Sequence, residues 1–311
     1  MSSADHIRLS LVIPTLGRNQ ILTDTLQALL ELIQAEDELL VIDQNDHLDA
    51  DTEAFLQKAD KEQNLRWLKH QPPGVVGAMN RGLREAQGDV VLFLDDDIEP
   101  DQHLVDAHRQ AHEQHPEAWA VAGRVIQKGQ EHIAKSFQKP VAGENTLLAD
   151  LDFDFSATQP AWVSNVMAGN LSVRRSRALE LGGFDENFIP PVSYRFETDF
   201  AKRIVAAGGR IRFEPSASIV HLRAPSGGTR SQGGHLKSFS PVHGVGDYYF
   251  AIKHGKGWDR IRYMALRPFR EVRTKFHLRH PWWIPVKFLG ELRALSKALL
   301  LAHKSTRSGN T

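Results

Sequence analysis

The chain of 311 residues contains no cysteine. Disulfide bridges, thiolate metal sites and cysteine nucleophiles are therefore excluded from any account of its stability or chemistry. The absence is consistent with a reducing compartment, where disulfides are rare.

Long apolar runs are also missing. No stretch approaches the roughly 18 to 20 uninterrupted apolar residues of a membrane-spanning helix. The segment from Met1 to Arg8 has no apolar core of the signal-peptide kind. We therefore expect a cytoplasmic protein, either free in solution or bound peripherally to the inner face of the cell membrane.

The chain has no net charge, because 38 Lys and Arg residues balance 38 Asp and Glu residues. The balance is uneven, since residues 251–311 contain 14 Lys or Arg and only 3 Asp or Glu. A basic segment of this kind indicates an anionic surface or partner. No nucleic-acid-binding module accompanies the charge, so nucleic acid is not an expected partner.

An apolar run at residues 90–94 is followed directly by Asp95, Asp96 and Asp97. β-Branched and aromatic residues in a row predict a strand that is buried on both faces. Three adjacent carboxylates repel one another, so a cation is expected beside them, and Mg²⁺ or Mn²⁺ prefers such oxygen ligands. The alternative is a solvated turn that caps a helix beginning near Asp101.

Strand and helix patterns alternate along residues 8–126, which predicts an α/β fold with a mostly parallel sheet and crossover helices. The predicted strands are 8–13, 39–42, 65–68, 90–94 and 118–126, and the predicted helices are 23–35, 52–61, 74–87 and 101–115. Farther along, the sequence predicts an irregular segment at 128–154, a helix at 196–207, short strands at 210–213 and 218–220, and a loop at 221–246.

Polar residues follow several of these strands, at Pro14-Thr15, at Asp43 and at the aspartate triplet. The carboxyl ends of parallel strands meet at one sheet edge, where ligands bind in open α/β sheets. Asp43 is interpreted either as a contact to a base or ribose or as an exposed loop residue. The glycine-rich segment at Gly74 is either a phosphate contact or a plain turn, and it lacks the dinucleotide-binding pattern.

A second acidic cluster, Glu197 and Asp199, lies at the start of a predicted helix. Carboxylates at this position are favoured by the helix dipole alone, which is one interpretation of the cluster. The other is a general base that removes a proton from an attacking hydroxyl group. His221 follows a predicted strand and is either a structural residue or a nitrogen ligand of the same metal ion.

Taken together, these motifs resemble the inverting family 2 glycosyltransferases of the GT-A fold over residues 7–221. The matching segments, in order, are LVIPT at 11–15, VID at 41–43, GVVGAMNRG at 74–82, GDVVLFLDDD at 88–97, AGNLSVRR at 168–175, GGFDE at 182–186 and FETDFAKR at 196–203, followed by Gly208 and His221. The resemblance implies a GT-A domain with a Rossmann-like nucleotide-binding half, a nucleoside-diphosphate sugar as donor, and Mn²⁺ or Mg²⁺ as cofactor.

The resemblance also implies roles for individual residues. Those expected to bind the nucleotide or the donor sugar are Pro14, Thr15, Arg18, Asp43, Gly74, Asn80, Asp95, Asp96, Gly169 and Asn170. Those expected to bind the metal ion are Asp95, Asp97 and His221. Aligned on Asp199-Phe200, Glu197 occupies the position of the family's catalytic carboxylate, so Glu197 is the expected base and Asp199 the alternate.

The C-terminal segment combines the pair Trp282-Trp283 with a basic helix at residues 286–303, whose apolar positions carry Phe288 and several leucines. These features fit an interfacial element on an anionic membrane surface. The alternative is a helix that packs its leucine stripe on the domain, which we favour for the leucines themselves.

We predict a GT-A domain at residues 1–246, with a nucleotide-binding half at 1–126 and an acceptor-binding half at 127–246, and a basic helical extension at 247–311. The activity that the resemblance implies is a metal-dependent, inverting transfer of a sugar to a hydroxyl group. The expected donor is UDP-linked, since UDP is the commonest carrier in that family. The expected acceptor is a carbohydrate or a lipid-linked molecule in polysaccharide or glycolipid assembly. The alternatives are a nucleotidyltransferase and a non-catalytic scaffold that binds nucleotide sugars.

Overall fold

A single mixed sheet organises the part of the chain that the computed structural model describes, which is residues 6–129, 147, 154–188, 190, 193–224, 227–228 and 235–308. The strands are β1 (Leu9–Thr15), β2 (Glu38–Asp43), β3 (Arg66–Lys69), β4 (Val90–Leu94), β5 (Ile98–Pro100), β6 (Ala118–Gln127), β7 (Ala161–Val163), β8 (Asn170–Arg174) and β9 (Arg210–His221). Their order is β3-β2-β1-β4-β8-β6-β9-β5, and β7 pairs with β9.

Helices cover the sheet and continue into a C-terminal layer. They are α1 (Gln20–Leu30), α2 (Ala50–Lys61), α3 (Val75–Glu85), α4 (Leu104–Gln114), α5 (Arg175–Glu180), α6 (Phe196–Ala206), α7 (Val242–His254), α8 (Gly257–Val272), α9 (Lys275–Arg279) and α10 (Ile284–Ser308). None of the helices in the described ranges is long and apolar enough to cross a membrane.

The predicted parallel half of the sheet is confirmed, because β3, β2, β1 and β4 are paired in parallel. Every residue of β4 is buried, as the continuous apolar run requires of a central strand. The register places Val12 of β1 beside Phe93 of β4 and Thr15 of β1 beside Asp43 of β2. The carboxyl ends of β1, β2 and β4 therefore share one edge.

The helix predicted to begin at residue 101 begins later, because the aspartate triplet is followed by the short strand β5. This strand pairs antiparallel with the end of β9, so that Ile98 lies opposite His221. The helix α4 begins only at Leu104. The triplet therefore does not cap that helix, and it approaches His221 through a strand pairing that joins distant parts of the sequence.

The two short strands predicted at 210–213 and 218–220 are instead one strand, β9. Its pairing with β6 jumps from Glu214 to Ser218, so the residues around Pro215 form an irregularity within the strand. Because proline has no N–H to donate to the ladder, it interrupts the sequence pattern, while a bulge lets the strand continue. The irregular segment predicted at 128–154 lies almost entirely outside the described residues.

The predicted loop at 221–246 ends earlier than expected, because α7 begins at Val242 and buries Tyr248 and Phe250 in the core. The proposed division at residue 246 therefore falls inside a helix that packs against α6 and α10.

The predicted packing of the leucine stripe is only partly correct. In α10, Ala294 and Ala298 are buried, and Leu295 packs against the core. A Cβ added at Gly244 of α7 would lie 2.8 Å from the Cβ of Ala294, so small residues set this close helix contact. Leu301 also packs against the core. The other four leucines of the helix are exposed: Leu289, Leu292, Leu299 and Leu300.

Candidate active site

The edge formed by the ends of β1 and β4 gathers polar side chains that are far apart in the sequence. The Thr15 hydroxyl donates a hydrogen bond to Oδ2 of Asp96 at 2.7 Å. The Arg18 guanidinium contacts Asp96 at 3.3 Å and Asp97 at 3.2 Å. All four of these residues are buried, since each is less than a tenth exposed. Thr15 and Arg18 thus hold two members of the triplet in place.

The third predicted ligand, His221, completes a cluster with Asp95 and Asp97. Its Nε2 lies 3.2 Å from Oδ1 of Asp97 and 3.9 Å from Oδ2 of Asp95. One candidate ligand atom from each residue lies within 4.8 Å of the others. Carboxylate oxygens with an imidazole nitrogen are a donor set that Mn²⁺ or Mg²⁺ accepts, so these residues fit the expected ion.

Backbone groups from the segment after β9 fix Asp97. The Ala224 N–H donates to Oδ2 of Asp97 at 2.8 Å, and the Leu222 N–H donates to its carbonyl at 2.9 Å. Burial alone would raise the pKa of Asp97, but the hydrogen bonds from His221 and Ala224 and the charge of Arg18 lower it below its ordinary value. Asp97 is therefore a carboxylate anion, as a metal ligand must be.

The middle aspartate behaves differently. Burial raises the pKa of Asp96 to about 6, although the Thr15 hydrogen bond and the charge of Arg18 oppose the shift. Asp95, by contrast, has a half-exposed side chain that faces the cleft. The triplet therefore divides into one exposed carboxylate, one buried structural carboxylate and one buried anion beside the histidine.

Two adjoining cavities form the cleft at this edge. The first has a volume of about 230 Å³, and Arg18, Asp95, Asp97 and His221 contribute to its wall. The second has a volume of about 250 Å³, and its wall includes Asp95 and Glu197. Pro14, Val75 and Asp95 line both cavities, so the two lie side by side.

Glu197 lies in the first turn of α6 and lines the second cavity together with Phe93 and Leu94 of β4. Its Oε1 accepts a hydrogen bond of 2.7 Å from the Ala168 N–H. Burial raises the pKa of Glu197 to about 7; the Ala168 hydrogen bond lowers it, and the charge of Asp95 raises it further. A carboxylate with this pKa can accept a proton near neutral pH, as a general base must.

Asp199 is placed differently from Glu197. It is fully buried, and its oxygens contact Arg203 at 2.8 Å and both Lys253 and His254 at 2.7 Å. Burial would raise the pKa of Asp199, but these three partners lower it to about 2. The side chain connects α6 to α7 and does not reach the cleft, which argues against the alternate assignment of Asp199 as base.

Two predicted donor-binding residues, Asn170 and Asn80, line neither cavity of the cleft. Asn170 is fully buried and bonds to His108 and to the carbonyls of Arg124 and Ala217. Asn80 joins α3 to the segment at 182–186 through Phe184 and Glu186. Both side chains are engaged in these contacts within the protein, and the expected donor contacts stay predictions.

Asp43 is also fully buried, so the alternative of an exposed loop residue is wrong. Its oxygens accept bonds from the Asn45 backbone and side chain, from Trp67 Nε1 at 2.9 Å and from Lys69 Nζ at 2.8 Å. Its carboxylate is fully occupied by these partners, so a base contact would require one of them to be displaced.

The predicted glycines do lie at the cleft. Gly169 lines the second cavity, and a Cβ added there would be 2.2 Å from Oδ2 of Asp95. Gly74 lines the first cavity, where its N–H donates to Oε1 of Gln44 at 2.8 Å. The absent side chain at Gly169 is thus what allows Asp95 its position.

Several cleft residues were not predicted. Gln44, directly after Asp43, lines the first cavity in its place. Gly227 and Gly228 lie over Arg18, and the Gly228 N–H donates to the Leu16 carbonyl at 2.8 Å. The glycine-rich composition after His221 was a signal for this loop, whereas nothing in the sequence distinguished Gln44 from Asp43 as the member of the pair that lines the cavity.

Comparisons with known proteins agree with this geometry. The family model "Glycosyl transferase family 2" matches residues 10–179. YdaM, a probable glycosyltransferase of Bacillus subtilis (strain 168), is 26% identical over 221 residues, which are 68% of this chain and 49% of that protein. The N-acetylglucosaminyl-diphospho-decaprenol L-rhamnosyltransferase of Mycobacterium tuberculosis (strain ATCC 25618 / H37Rv) is 33% identical over 111 residues, which are 33% of this chain and 34% of that protein. The chain thus spans half or less of the length of these curated relatives.

Solved structures show the same fold. GalNAc-T7 with UDP, GalNAc and Mn²⁺ aligns with a TM-score of 0.60 and 13% identity over 82% of this chain and 52% of that chain. The mannosyltransferase PcManGT from Pyrobaculum calidifontis with GDP-Man and Mn²⁺ aligns with a TM-score of 0.53 and 19% identity over 97% of this chain and 81% of that chain. The predicted GT-A fold is confirmed.

Proposed function

Because the chain belongs to glycosyl transferase family 2, we propose that it is a metal-dependent, inverting hexosyltransferase. It takes a sugar from a nucleoside-diphosphate donor, with UDP as the favoured carrier, and passes it to a hydroxyl group of an acceptor. The observation that carries the proposal is that the Asp95–Asp97–His221 cluster lines one cavity of the cleft and Glu197, with its raised pKa, lines the adjoining one.

The phosphate end of the cleft is assigned to Arg18 and the metal cluster. Arg18 Nη1 is buried and has no hydrogen-bond partner among the described residues, so it can donate to a phosphate oxygen. Asp95, Asp97 and His221 would hold Mn²⁺ or Mg²⁺. When bound, the cation neutralises the negative charge that develops on the departing diphosphate.

The chemical step is assigned to Glu197. Its carboxylate takes the proton of the acceptor hydroxyl while the hydroxyl oxygen attacks the anomeric carbon from the side opposite the diphosphate. The new bond forms as the carbon–oxygen bond to the diphosphate breaks, so one displacement inverts the anomeric configuration. The Ala168 N–H holds Glu197 at the cavity wall and leaves its second oxygen to face the acceptor.

The acceptor is proposed to be a carbohydrate or a lipid-linked sugar in polysaccharide or glycolipid assembly, used from the cytoplasm. The name of the mycobacterial rhamnosyltransferase, which specifies a diphospho-decaprenol acceptor, supports the lipid-linked form. The complexes of GalNAc-T7 with UDP and of PcManGT with GDP-Man support a nucleotide-sugar donor.

Donor binding is tested by a thermal-shift panel of UDP, GDP and dTDP sugars with and without Mn²⁺ or Mg²⁺. We expect one nucleotide to raise the melting temperature only with metal, because binding to the native state stabilises it. Asp97→Asn should abolish the metal-dependent shift. A shift that is independent of metal for every nucleotide would contradict the assignment of the cluster.

Catalysis is tested with Glu197→Gln, which keeps the size of the side chain and removes the base. We expect turnover to fall by about 10² to 10⁴-fold, with the donor-induced thermal shift retained. Glu113→Gln, the same change at an exposed position of α4, is the matched control. Turnover close to that of the unmodified protein would exclude Glu197, and release of pyrophosphate in place of a nucleoside diphosphate would favour the nucleotidyltransferase alternative.

A further inference from the structure

The C-terminal layer has a large exposed apolar face that no part of the proposed reaction uses. On α8, the exposed residues Trp258, Ile261 and Phe269 lie at helical spacings of three and eight residues and share one side of the helix. On α10, the exposed residues Leu289, Leu292 and Leu299 lie at spacings of three and seven residues and also share one side of the helix. We call these six residues, with Leu278, Trp282 and Leu300, the apolar face.

The two helices contribute to one continuous surface. The ring of Phe269 on α8 packs edge to face against Phe288 on α10, with 5.6 Å between centroids. Phe288 lies one turn before Leu292 and three turns before Leu299 on the same side of α10. Trp282, just before α10, contacts His280, whose ring stacks on Phe276 of α9. The helices α8, α9 and α10 therefore all contribute residues to the apolar face or contact it.

Charge around this face is of one sign. Among the described residues 256–305, each of the three acidic side chains is partly or fully buried and has a partner within the protein. Asp259 accepts the Leu147 N–H, Glu271 pairs with Lys287, and Glu291 is buried against Arg267. The exposed charged residues are all basic: Lys256, Arg260, Arg262, Arg273, Lys275, Arg279, Arg293, Lys297 and Lys304.

We propose that this face of α8, α9 and α10 docks the protein on an anionic lipid bilayer. Tryptophan, phenylalanine and leucine side chains insert at the level of the lipid headgroups, where Trp is favoured. The surrounding Lys and Arg side chains attract the negative headgroups. A second copy of the chain is a poorer occupant, because two such faces would bring their positive charges together.

The proposal goes beyond the proposed transfer reaction, since the face lies outside the cleft and binds lipid whether or not a donor is present. It would place a lipid-linked acceptor and the enzyme on the same surface. The docking element is also part of the folded protein, because α10 packs on α7, which holds Asp199 of α6.

The test is co-sedimentation of the full chain with vesicles of phosphatidylcholine alone or of phosphatidylcholine with phosphatidylglycerol. We expect binding to the anionic vesicles that weakens as salt is raised, and little binding to the neutral ones. The triple variant Trp282→Ala/Leu292→Ser/Leu299→Ser should lower the vesicle affinity by at least about tenfold. The charge variant Arg279→Glu/Lys297→Glu should lower it by a similar factor.

Matched controls lie elsewhere on the surface. Leu179→Ser/Val205→Ser removes exposed apolar residues outside the face, and Lys58→Glu/Lys61→Glu makes the same charge change on α2. Both should bind vesicles as the unmodified protein does, and all variants should keep the melting temperature and the metal-dependent donor shift.

Three outcomes would overturn the proposal. The first is that the unmodified protein stays in the supernatant with anionic vesicles. The second is that the control variants lose binding as much as the variants of the face. The third is that sedimentation velocity shows a dimer that the triple apolar variant dissociates, which would make the face an interface between copies. Loss of the donor shift in the unmodified protein would instead count against the proposed function and leave vesicle binding as a separate result.

Discussion

Glu197 and Asp199 are two residues apart on α6, yet their carboxylates have opposite environments. Glu197 has one backbone hydrogen bond and a burial cost that raises its pKa to about 7. Burial would raise the pKa of Asp199, but a hydrogen bond from His254 and the charges of Arg203 and Lys253 lower it to about 2. A residue that must exchange a proton at neutral pH needs the first environment, whereas a residue that only connects two helices is better served by the second.

The pKa of Glu197 sets the expected pH dependence of the reaction. A general base works only when deprotonated, so kcat/KM should rise with pH as Glu197 loses its proton and level off above about pH 7. The inflection should move slightly to lower pH at saturating metal, because a cation beside Asp95 offsets the repulsion that adds to the effect of burial on this pKa. Initial rates between about pH 5 and 9 measure the profile. A flat profile across this range would be inconsistent with Glu197 as base.

Gly169 offers a test of how closely the cleft is packed. A methyl group there would lie 2.2 Å from Oδ2 of Asp95, so Gly169→Ala should displace that carboxylate. We expect metal affinity to fall by about 10- to 100-fold, measured as the Mn²⁺ concentration that gives half-maximal activity. Asp95→Ala is the reference variant, and Gly169→Ala should show part of its effect. Unchanged metal dependence would mean that Asp95 does not bind the cation.

Motifs in the sequence identified which segments surround the cleft but not which way each side chain points. The resemblance assigned Asp97, His221 and Glu197 to one site, and strand ends and a helix start bring them to the two adjoining cavities of the cleft. The same resemblance placed Asn170 beside the donor sugar. In β8, however, it faces α4, since successive side chains of a strand point to opposite faces.

At the level of elements, the contact between α4 and β8 shows what that orientation serves. His108 of α4 has Nδ1 2.8 Å from the Ser172 hydroxyl and Nε2 2.8 Å from Oδ1 of Asn170. His112, one turn later, contacts the same hydroxyl at 2.9 Å. Burial lowers the pKa of His108 to about 4 and holds the pKa of His112 well below its ordinary value. Both rings are therefore neutral in the folded protein.

Neutral buried histidines make the contact sensitive to acid. In the unfolded chain these rings take up protons as the pH falls below about 6.5, whereas in the folded chain His108 does so only near pH 4. The free energy of unfolding therefore does not suffer from this effect above about pH 6.5, and it declines as the pH falls towards 4. One such group accounts for a loss of about 2 to 3 kcal/mol over this range.

Urea unfolding at pH 7 and at about pH 4.5 measures this loss. His108→Gln keeps a side chain that can bond to Asn170 and removes one titrating ring, so its stability should depend less steeply on pH than that of the unmodified protein. His103→Gln, a change on the exposed histidine just before α4, should leave the slope as it was. Equal slopes in all three proteins would mean that His108 is not held neutral.

Elements formed by local patterns were predicted to within a few residues, and those that depend on distant partners were not. The apolar run of β4 and the helical spacing of α2 are local, and both were found. The three-residue strand β5 exists only because β9 pairs with it, over a hundred residues later in the chain. No pattern in residues 98–100 could indicate that pairing, so the helix was predicted to begin too early.

At the scale of the whole molecule, the charge count of the C-terminal segment did not reveal that some of its charged residues are buried in ion pairs. Its basic excess suggested an exposed cationic extension, and many of its Lys and Arg residues are indeed exposed. Arg267 and Lys287, however, are 2% and 3% exposed and form ion pairs inside the helical layer. Net charge does not report which charges are paired, so the sequence could predict the sign of the surface but not the buried network.

That network connects the helical layer to the start of α6. Asp247 of α7 accepts from Arg195 Nε at 3.0 Å and from Arg267 Nε at 2.7 Å, and Arg267 in turn pairs with Glu291 of α10. Arg195 has a left-handed backbone with φ of 74° and directly precedes the turn that carries Glu197. Burial would raise the pKa of Asp247, but the two arginines and Tyr263 lower it, so it remains an anion.

Asp247→Asn therefore tests whether residues 247–311 are part of the catalytic fold or a separable extension. Loss of the anion removes the acidic partner of the buried Arg195 and one acidic partner of the buried Arg267, which still pairs with Glu291. Breaking buried ion pairs in this way costs about 3 to 5 kcal/mol. We expect urea unfolding to show a loss of this size and the activity per folded molecule to fall, because Arg195 no longer fixes the start of α6. Asp106→Asn, which breaks a surface pair with Arg109, should cost less than about 1 kcal/mol. If both variants were equally stable and active, the C-terminal layer would be an independent appendage, and the position of Glu197 would depend on the sheet alone.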